Sequence, residues 1–459
     1  MNANSTMRPN ILFIIADDHR SEAIHAVGDK VVQTPNLDGL VARGVCFRQH
    51  HSMGGMLGGV CVPSRAAIHT GANPFRASVR PRVNDAEGSR TLNPTLPTLP
   101  AVLRGAGYHT YATGKWHNDK ASFNAGFVDG ANLFFGGMSD HWRVPLHAYD
   151  PSGAYLPEAR TIGGKHSTEC FSDAAVQFLQ AYNGERPFFL YVAFTAPHDP
   201  RTAPPEYAAR YDPAALPLPE NYLPQHPFDN GDLRTRDERL APWPRTAEIV
   251  RQHLADYYAM ISHLDSGVGR ILAALQSRAD GVNSVVVYSA DHGLAVGQHG
   301  LMGKQNLYEH SVHIPLLLSG PDLPAGRQID ALTLQYDLFP TLCALTDTPA
   351  PATLEGANLL PLVSGERRRV HDSIFSVYKD VQRMVSDGAW KLIRYYHSRA
   401  FATGTDCLQL FELTVDPWET HDRSGDRAAQ RHLHRLAAEL ASWQRRLNDP
   451  LAGIPVLPA

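Results

Sequence analysis

The sequence has few cysteines, and their arrangement argues against two kinds of small stabilised domain. The five cysteines are scattered and form no CxxC pair. An odd number of widely separated cysteines argues against a disulfide framework, and the missing CxxC pairs argue against a structural zinc site. A chain of 459 residues can bury a large core without either of these. The five are Cys46, Cys61, Cys170, Cys343 and Cys407.

The chain also lacks a long apolar run and a strong excess of charge of one sign. The polar residues 1–10 are followed by a short apolar run, residues 11–16, which ends in two aspartates. Because this run is shorter than a signal peptide or a membrane span requires, we expect a cytoplasmic protein with no membrane partner. The formal net charge of −4 gives no sign of a nucleic-acid partner.

Three continuous apolar segments predict strands that are buried on both faces, as in a parallel sheet. They are residues 10–16, 187–194 and 283–290. Polar side chains follow each of them directly. Because ligands bind at the carboxyl ends of strands in open α/β sheets, we expect these side chains to line one crevice.

The polar residues after these strands have two interpretations each. Asp17 and Asp18 repel each other unless a cation lies between them, but they also suit a turn with an Asp cap. Lys115 and His117 follow a fourth strand-like segment and could both face one anion, or they could be a surface lysine and a turn histidine. His198 likewise follows a buried strand in a Pro-flanked loop.

A Gly-rich approach leads to the sequence Cys-Val-Pro-Ser-Arg at 61–65, just before a helix-like run that we expect to begin at Pro63 or Ser64. A lone cysteine is usually a small buried apolar residue, and Pro-Ser often opens a helix. This segment nevertheless resembles the Cys-x-Pro-Ser-Arg signature of the type I sulfatases in the alkaline phosphatase superfamily. Gly-Lys-Trp-His at 114–117, Ala-Pro-His at 196–198 and residues 289–318 resemble other parts of that family, and His313 departs from it.

The resemblance implies a fold and an activity. The fold is a large, mostly parallel mixed α/β sheet between helices, with a catalytic domain at 1–365 and a C-terminal antiparallel sheet plus helix at 366–459. The activity is hydrolysis of a sulfate monoester, carried by a sulfated carbohydrate or an aryl or alkyl group. Cys61 would be oxidised to formylglycine, whose hydrate is the nucleophile. The maturing partner would be a formylglycine-generating enzyme or an anaerobic sulfatase-maturating enzyme.

The resemblance also implies a metal site. Asp17, Asp18, Asp291 and His292, together with the modified Cys61, would hold Ca²⁺, with Mg²⁺ as the alternative. Oxygen-rich ligation fits either cation, although histidine is a less usual ligand for Ca²⁺.

The remaining motif residues take catalytic roles by the same resemblance. His198 and Lys304 would help the leaving alcohol depart, and His117 would accept a proton when the sulfated enzyme breaks down. Lys115 would hold the sulfate. Arg65 would orient the nucleophile, with Asp17 as a partner.

Two rival functions stay open at this point. A phosphonate monoester or phosphodiester hydrolase could use the same scaffold, and a non-catalytic sulfate-ester binding protein could keep Cys61 unmodified, although the intact motif set argues against a binder. Residues 126–165 and the Pro-rich residues 201–246 show little resemblance, so we expect them to choose the substrate. Candidate pocket residues are His51, His141, Trp142, Arg143 and Asp199.

Overall fold

The structure is a computed structural model that describes residues 8–79, 91–400 and 402–457. Its strands are β1 (Asn10–Asp17), β2 (Val45–His51), β3 (Gly54–Gly55), β4 (His109–Lys115), β5 (Asp129–Phe134), β6 (Pro145–Leu146), β7 (Thr161–Ile162), β8 (Phe188–Pro197), β9 (Ser284–Ala290), β10 (Leu316–Ser319), β11 (Arg327–Leu334), β12 (Ile374–Tyr378), β13 (Gln382–Ser386), β14 (Trp390–Tyr395) and β15 (Cys407–Glu412). Its α-helices are α1 (Pro35–Arg43), α2 (Cys61–Thr70), α3 (Leu99–Gly105), α4 (Lys120–Gly126), α5 (Ser167–Ala181), α6 (Pro205–Ala208), α7 (Ala247–Gln276), α8 (Glu309–Val312), α9 (Leu338–Leu345), α10 (Leu360–Ser364) and α11 (Gln430–Arg446).

An eight-stranded sheet forms the centre of the protein, in the order β11-β2-β10-β9-β1-β8-β4-β5. Its strands pair in parallel except for β10, which runs antiparallel to β2 and β9. The central strand β1 lies between β8 and β9, and all eight of its residues are buried. This is the arrangement expected for strands covered by helices on both faces, and it confirms the predicted fold class.

Alternate side chains of β1 enter two different cores. Phe13 packs in the core that includes side chains of α2, α3 and α9, whereas Ile14 packs in the core that includes side chains of α1, α5 and α7. The strands β1, β4, β8 and β9 run in the same direction. Their carboxyl ends therefore lie along one edge of the sheet, where ligand sites of open α/β sheets occur.

A second sheet, in the order β15-β14-β13-β12-β3, contains four antiparallel strands from the C-terminal region, as expected, and is covered by α11. Its fifth strand, β3, comes from far upstream and pairs in parallel with β12. Gly54 makes this pairing possible, because its φ is +66° and an added Cβ would lie 2.2 Å from the Val377 carbonyl oxygen. The second sheet thus contacts the chain just before α2. The boundary at residue 365 stays a prediction.

Some elements differ from the expectations. Strand β5 lies within residues 126–165, for which the sequence predicts no strand, because the start of β5, Asp-Gly-Ala-Asn, is poor in strand-forming residues. Helix α2 begins at Cys61 rather than at Pro63 or Ser64. In the described part of the chain, no helix is both long enough and apolar enough to cross a membrane.

A buried lysine of the second sheet pairs with two carboxylates. The Nζ atom of Lys391 lies 2.8 Å from Glu309 Oε1 and 2.8 Å from Glu419 Oε1, and its side chain is completely buried. Replacing it by methionine would leave two buried carboxylates without their shared cation. We therefore expect Lys391→Met to lower the free energy of unfolding by about 3–5 kcal/mol.

Urea-induced unfolding, followed by tryptophan fluorescence, measures this loss. The matched control is Lys165→Met, because Lys165 also pairs with a carboxylate, Asp173, but is 62% exposed. We expect the control to cost at most about 1 kcal/mol, as surface ion pairs do. Equal unfolding midpoints for the two variants would contradict the prediction.

Candidate active site

The structure brings all ten predicted site residues into one connected cluster at the carboxyl edge of the main sheet. Each of them is at most 5% exposed. They come from the ends of β1, β4, β8 and β9, from the start of α2, and from the loop after β9. They are Asp17, Asp18, Cys61, Arg65, Lys115, His117, His198, Asp291, His292 and Lys304.

Cys61 lies at the centre of this cluster, as the first residue of α2. Its Sγ atom is 3.2 Å from His292 Nε2 and 3.5 Å from Lys304 Nζ, and it also contacts the His117 side chain. Burial would raise the pKa of the thiol, but Lys115, Lys304 and His292 hold it well below its ordinary value. The position at the start of a helix also suits developing negative charge.

Two carboxylates beside Cys61 fit a divalent cation. The ligand atoms of Asp17, Asp18, Cys61 and His292 all lie within 4.8 Å of one another. Asp17 Oδ1 is buried and has no hydrogen-bond partner among the described residues. A buried carboxylate oxygen without a donor is costly, and a cation would satisfy it. Asp291 adjoins this group, with its Oδ1 atom 3.5 Å from His292 Nε2.

Lys115 and Arg65 each pair with a different carboxylate of the cluster. Lys115 Nζ contacts Asp17 Oδ2. Arg65 Nε donates to Asp291 Oδ2 at 2.8 Å, and its Nη1 donates to the Lys115 carbonyl oxygen at 2.7 Å. The expectation that Asp17 pairs with Arg65 is therefore wrong, because Lys115 takes that position. Arg65 instead ties α2 to the ends of β9 and β4.

The charges around Asp17 and Asp291 move their pKa values in opposite directions. Burial would raise the pKa of Asp17, but Lys115, His198 and Arg65 lower it overall. Burial and the neighbouring Asp17 raise the pKa of Asp291 to about 6, against the opposing effect of Arg65. Perturbed carboxyl groups of this kind are typical of functional sites.

Asp18 connects the cation site to His198 and Lys304. Lys304 Nζ donates to Asp18 Oδ1 at 2.8 Å, and His198 Nε2 lies 3.8 Å from Asp18 Oδ2. Burial would lower the pKa of His198, but Asp18 raises it to about 10, with smaller contributions from Asp17 and Asp199. Lys304 therefore carries positive charge 3.5 Å from Cys61 Sγ, and His198 carries it beside Asp18.

Backbone strain marks two of the site residues. Asp18 and His117 have φ values of +68° and +56°, a left-handed conformation that non-glycine residues rarely adopt. Gly114 has φ +94° and lies so close to β8 that an added Cβ would be 1.9 Å from the Ala193 carbonyl oxygen. Glycine is therefore required in the Gly-Lys-Trp-His segment, where it lets the chain turn Lys115 inward.

The two segments expected to choose the substrate both contact the site. An added Cβ at Gly137 would lie 2.7 Å from His117 Nε2, so residue 137 packs directly on that ring. His141 Nε2 hydrogen-bonds the His198 carbonyl oxygen at 2.8 Å. Trp142 is 41% exposed, and its Nε1 atom donates to the Thr202 carbonyl oxygen at 3.1 Å.

The other candidate pocket residues have different environments. The Asp199 carboxylate lies 3.3 Å from His198 Nδ1, and Arg143 is exposed. His51 contacts Glu309 at 3.0 Å and stacks on His313, so it belongs with the Lys391 cluster. Two further groups at the site were not predicted from the sequence. One is Ser64, whose hydroxyl group contacts the Asp291 carbonyl oxygen, and the other is the set of charged side chains at residues 236–238. The Ser-Arg of the motif at 61–65 was the available signal for Ser64.

Two family models match the chain. The model described as Sulfatase matches residues 9–348, and the model described as N-sulphoglucosamine sulphohydrolase, C-terminal, matches residues 297–446. An N-acetylglucosamine-6-O-sulfatase of Bacteroides thetaiotaomicron is 25% identical over an alignment that covers 96% of this chain and 85% of the relative.

Solved structures show the same fold. A solved structure in complex with its substrate D-glucosamine-2-N,6-O-disulfate superimposes with a TM-score of 0.78 at 22% identity, covering 98% of this chain and 100% of the other. A phosphonate monoester hydrolase of Agrobacterium radiobacter superimposes with a TM-score of 0.76 at 21% identity, covering 96% of each chain. The first family model alone spans well over half of the chain and includes the cysteine motif and the cluster around it. The chain therefore belongs to the sulfatase family of the alkaline phosphatase superfamily and is a sulfuric ester hydrolase.

Proposed function

We propose that this enzyme hydrolyses a sulfate monoester of a saccharide with a formylglycine made from Cys61 as its nucleophile. The observation that carries the proposal is the position of Cys61 at the start of α2, between the cations Lys115 and Lys304 and beside a cluster of carboxylates. A binding protein would not need a nucleophile at this point. After oxidation, residue 61 would supply the attacking oxygen as an aldehyde hydrate.

A divalent cation completes the proposed site. Asp17, Asp18, Asp291 and His292 would hold it, and the unsatisfied Asp17 Oδ1 supports this assignment within the described residues. Oxygen ligands favour Ca²⁺ or Mg²⁺. Such an ion supplies charge that offsets the negative ester and polarises the attacking oxygen.

The remaining side chains act on the sulfate and on the leaving oxygen. Lys115 binds the sulfate on the side of Asp17, and Arg65 keeps α2 in register with the strand ends. His117 touches residue 61 and takes up the proton that must leave before the aldehyde is restored. His198 and Lys304, which both contact Asp18, stabilise the departing alcohol.

An exposed aromatic side chain near the His198 loop supports a saccharide substrate. Trp142 exposes part of its indole one residue after His141, which holds the His198 loop. An exposed aromatic face beside a polar site is suited to packing against the apolar face of a sugar ring. The N-acetylglucosamine-6-O-sulfatase relative and the neighbour bound to a glucosamine disulfate support the same substrate class.

The mass of one tryptic peptide tests the proposal. The peptide of residues 49–65 contains Cys61, and we expect the mass decrease that corresponds to replacing its CH₂SH group by CHO. The protein should be produced with a formylglycine-generating enzyme, or with an anaerobic sulfatase-maturating enzyme, and the aldehyde confirmed with a hydrazide reagent. An unmodified thiol, from a host that converts another such motif in parallel, would contradict the proposal.

Rates on matched esters then separate sulfate from phosphonate chemistry. The same cation, nucleophile and anion donors suit a phosphoryl centre, so the comparison uses the matured enzyme and esters of one phenol. We expect a higher kcat/KM for the aryl sulfate than for the aryl phosphonate. The reverse order would favour the phosphonate monoester hydrolase.

A further inference from the structure

Three consecutive residues of the Pro-rich segment 201–246 contact both loops that hold the leaving-group side chains. They are Arg236, Asp237 and Glu238, at the start of a 3₁₀ turn. The Asp237 and Glu238 side chains are 9% and 3% exposed, whereas Arg236 is 39% exposed at the mouth of the site. We refer to these three residues as the clamp.

The first contact of the clamp fixes His198. Arg236 makes a two-pronged ion pair with Asp199, in which its Nη2 atom donates to Asp199 Oδ1 at 2.9 Å and its Nη1 atom contacts Oδ2. The same Oδ1 atom lies 3.3 Å from His198 Nδ1, which also hydrogen-bonds the Asp199 carbonyl oxygen at 2.8 Å. Because Nδ1 is held on this side, Nε2 is the ring nitrogen that faces Asp18, whose other oxygen accepts from Lys304.

The second contact fixes the loop that carries Lys304. Gln305 Nε2 donates to Asp237 Oδ2 at 2.7 Å, and its Oε1 atom accepts from the Lys304 amide at 3.0 Å. The Glu238 carboxylate accepts from the amides of Met302 and Gly303 at 3.0–3.2 Å. Arg245, which is completely buried, pairs with the other side of Glu238.

The packing between these groups leaves little room for adjustment. A Cβ added at Gly303 would lie 2.5 Å from Gln305 Oε1 and 2.9 Å from Asp237 Cβ. The clamp therefore sets the positions of the His198 loop and the Lys304 loop relative to each other. Side chains held in this way are precise enough to act together on one atom.

We propose that the Arg236–Asp237–Glu238 clamp positions His198 and Lys304 so that both side chains act on the same leaving oxygen. This inference rests on the proposed function, because it takes from it the roles of those two residues. When the sulfur–oxygen bond breaks, its electron pair stays on the leaving oxygen, the proton of His198 Nε2 transfers to that oxygen, and the Lys304 ammonium group stabilises the charge meanwhile. The clamp residues are positioning residues and do not touch the substrate.

A leaving-group series tests the clamp. We expect Arg236→Met to lower kcat/KM by about 30-fold on phenyl sulfate but by less than about 3-fold on 4-nitrophenyl sulfate, because a poor leaving group depends more on a well-placed acid. The dependence of log(kcat/KM) on the leaving-group pKa should therefore be steeper in the variant. Asp237→Asn should steepen it through Lys304, and Arg236→Lys should restore part of the loss on phenyl sulfate.

The matched control is Arg239→Met, because Arg239 is an exposed arginine of the same turn. We expect it to keep the wild-type slope. Aldehyde content and unfolding temperature are measured for every variant so that maturation and folding are compared directly. Equal losses on both esters, or an unchanged slope in Arg236→Met and Asp237→Asn, would overturn the clamp.

A measurement without turnover distinguishes failure of the clamp from failure of the proposed function. In ¹⁵N NMR of selectively labelled protein, with His198 assigned from His198→Gln, we expect one sharp pair of His198 ring signals in the wild type, as for a ring held in one position, and shifted or exchange-broadened signals in Arg236→Met. A wild-type enzyme that hydrolyses no sulfate ester would overturn the proposed function. Unchanged His198 ring signals in Arg236→Met would overturn the clamp whether or not the enzyme is active.

Discussion

Replacing Cys61 by alanine is expected to remove turnover while the protein keeps its fold. The substitution removes the Sγ atom whose oxidative loss turns Cβ into the aldehyde carbon, so no aldehyde forms and the nucleophile is lost while Lys115, Lys304 and the carboxylates remain in place. Loss of a covalent nucleophile typically costs at least about 10⁴-fold in kcat. Alanine fits the same helical position, at the start of α2. The measurements are kcat on an aryl sulfate and the unfolding temperature.

Cys46→Ala is the matched control for this variant. Cys46 is also buried, at 4% exposure, but it lies on β2 and pairs with β10 rather than with the site. We expect it to keep wild-type kcat when the aldehyde content is equal. Near-wild-type hydrolysis by homogeneous Cys61→Ala protein would show that residue 61 is not the nucleophile.

The central strands and the site could be predicted together because one physical pattern encodes both. A strand covered on both faces needs a continuous apolar run, and β1, β8 and β9 each show one. The first polar residue after such a run lies at the edge of the sheet. Asp17 and Asp291 could therefore be placed near each other without knowledge of the strand order.

Partner choice within the site could not be predicted, because it depends on the register between strands. Arg65 could have reached either Asp17 or Asp291, since both carboxylates follow neighbouring strands. In the structure Lys115 contacts Asp17, so Arg65 pairs with Asp291. No local pattern in the sequence indicates which of the two side chains, Lys115 or Arg65, pairs with Asp17.

The contacts of the clamp could not be predicted from the sequence for a different reason. Arg236, Asp237 and Glu238 lie in a polar, Pro-rich stretch in which charged residues usually point into solvent. The ion pair of Arg236 with Asp199, and the burial of Asp237 and Glu238 against residues 302–305, are long-range contacts. A run of one basic and two acidic residues in such a segment carries no periodicity that would separate a buried contact from an exposed turn.

Replacing Lys304 by alanine is expected to damage turnover of poor leaving groups far more than that of good ones. Burial would lower the pKa of Lys304, but Asp18 and Cys61 raise it well above its ordinary value, so the ammonium group stays charged. Its Nζ atom lies 3.5 Å from Cys61 Sγ, within reach of an ester attacked at that residue. A cation held next to a departing oxygen is typically worth about 10²–10³-fold, and an activated phenolate needs little of this help.

The measurement is therefore kcat/KM on phenyl sulfate and on 4-nitrophenyl sulfate, with about a 10-fold or larger difference between the two losses. Lys379→Ala is the control, because Lys379 pairs with Asp232 at 2.6 Å and is half-buried. Lys379→Ala should change kcat/KM only slightly and by the same factor on both esters.

Because the clamp acts through Lys304, adding Asp237→Asn to Lys304→Ala should lower kcat/KM by a smaller factor than Asp237→Asn does in the wild type. If Lys304→Ala lowers kcat/KM equally on both esters, Lys304 does not assist the leaving group. If the effects of Lys304→Ala and Asp237→Asn are fully additive, the clamp does not act through Lys304.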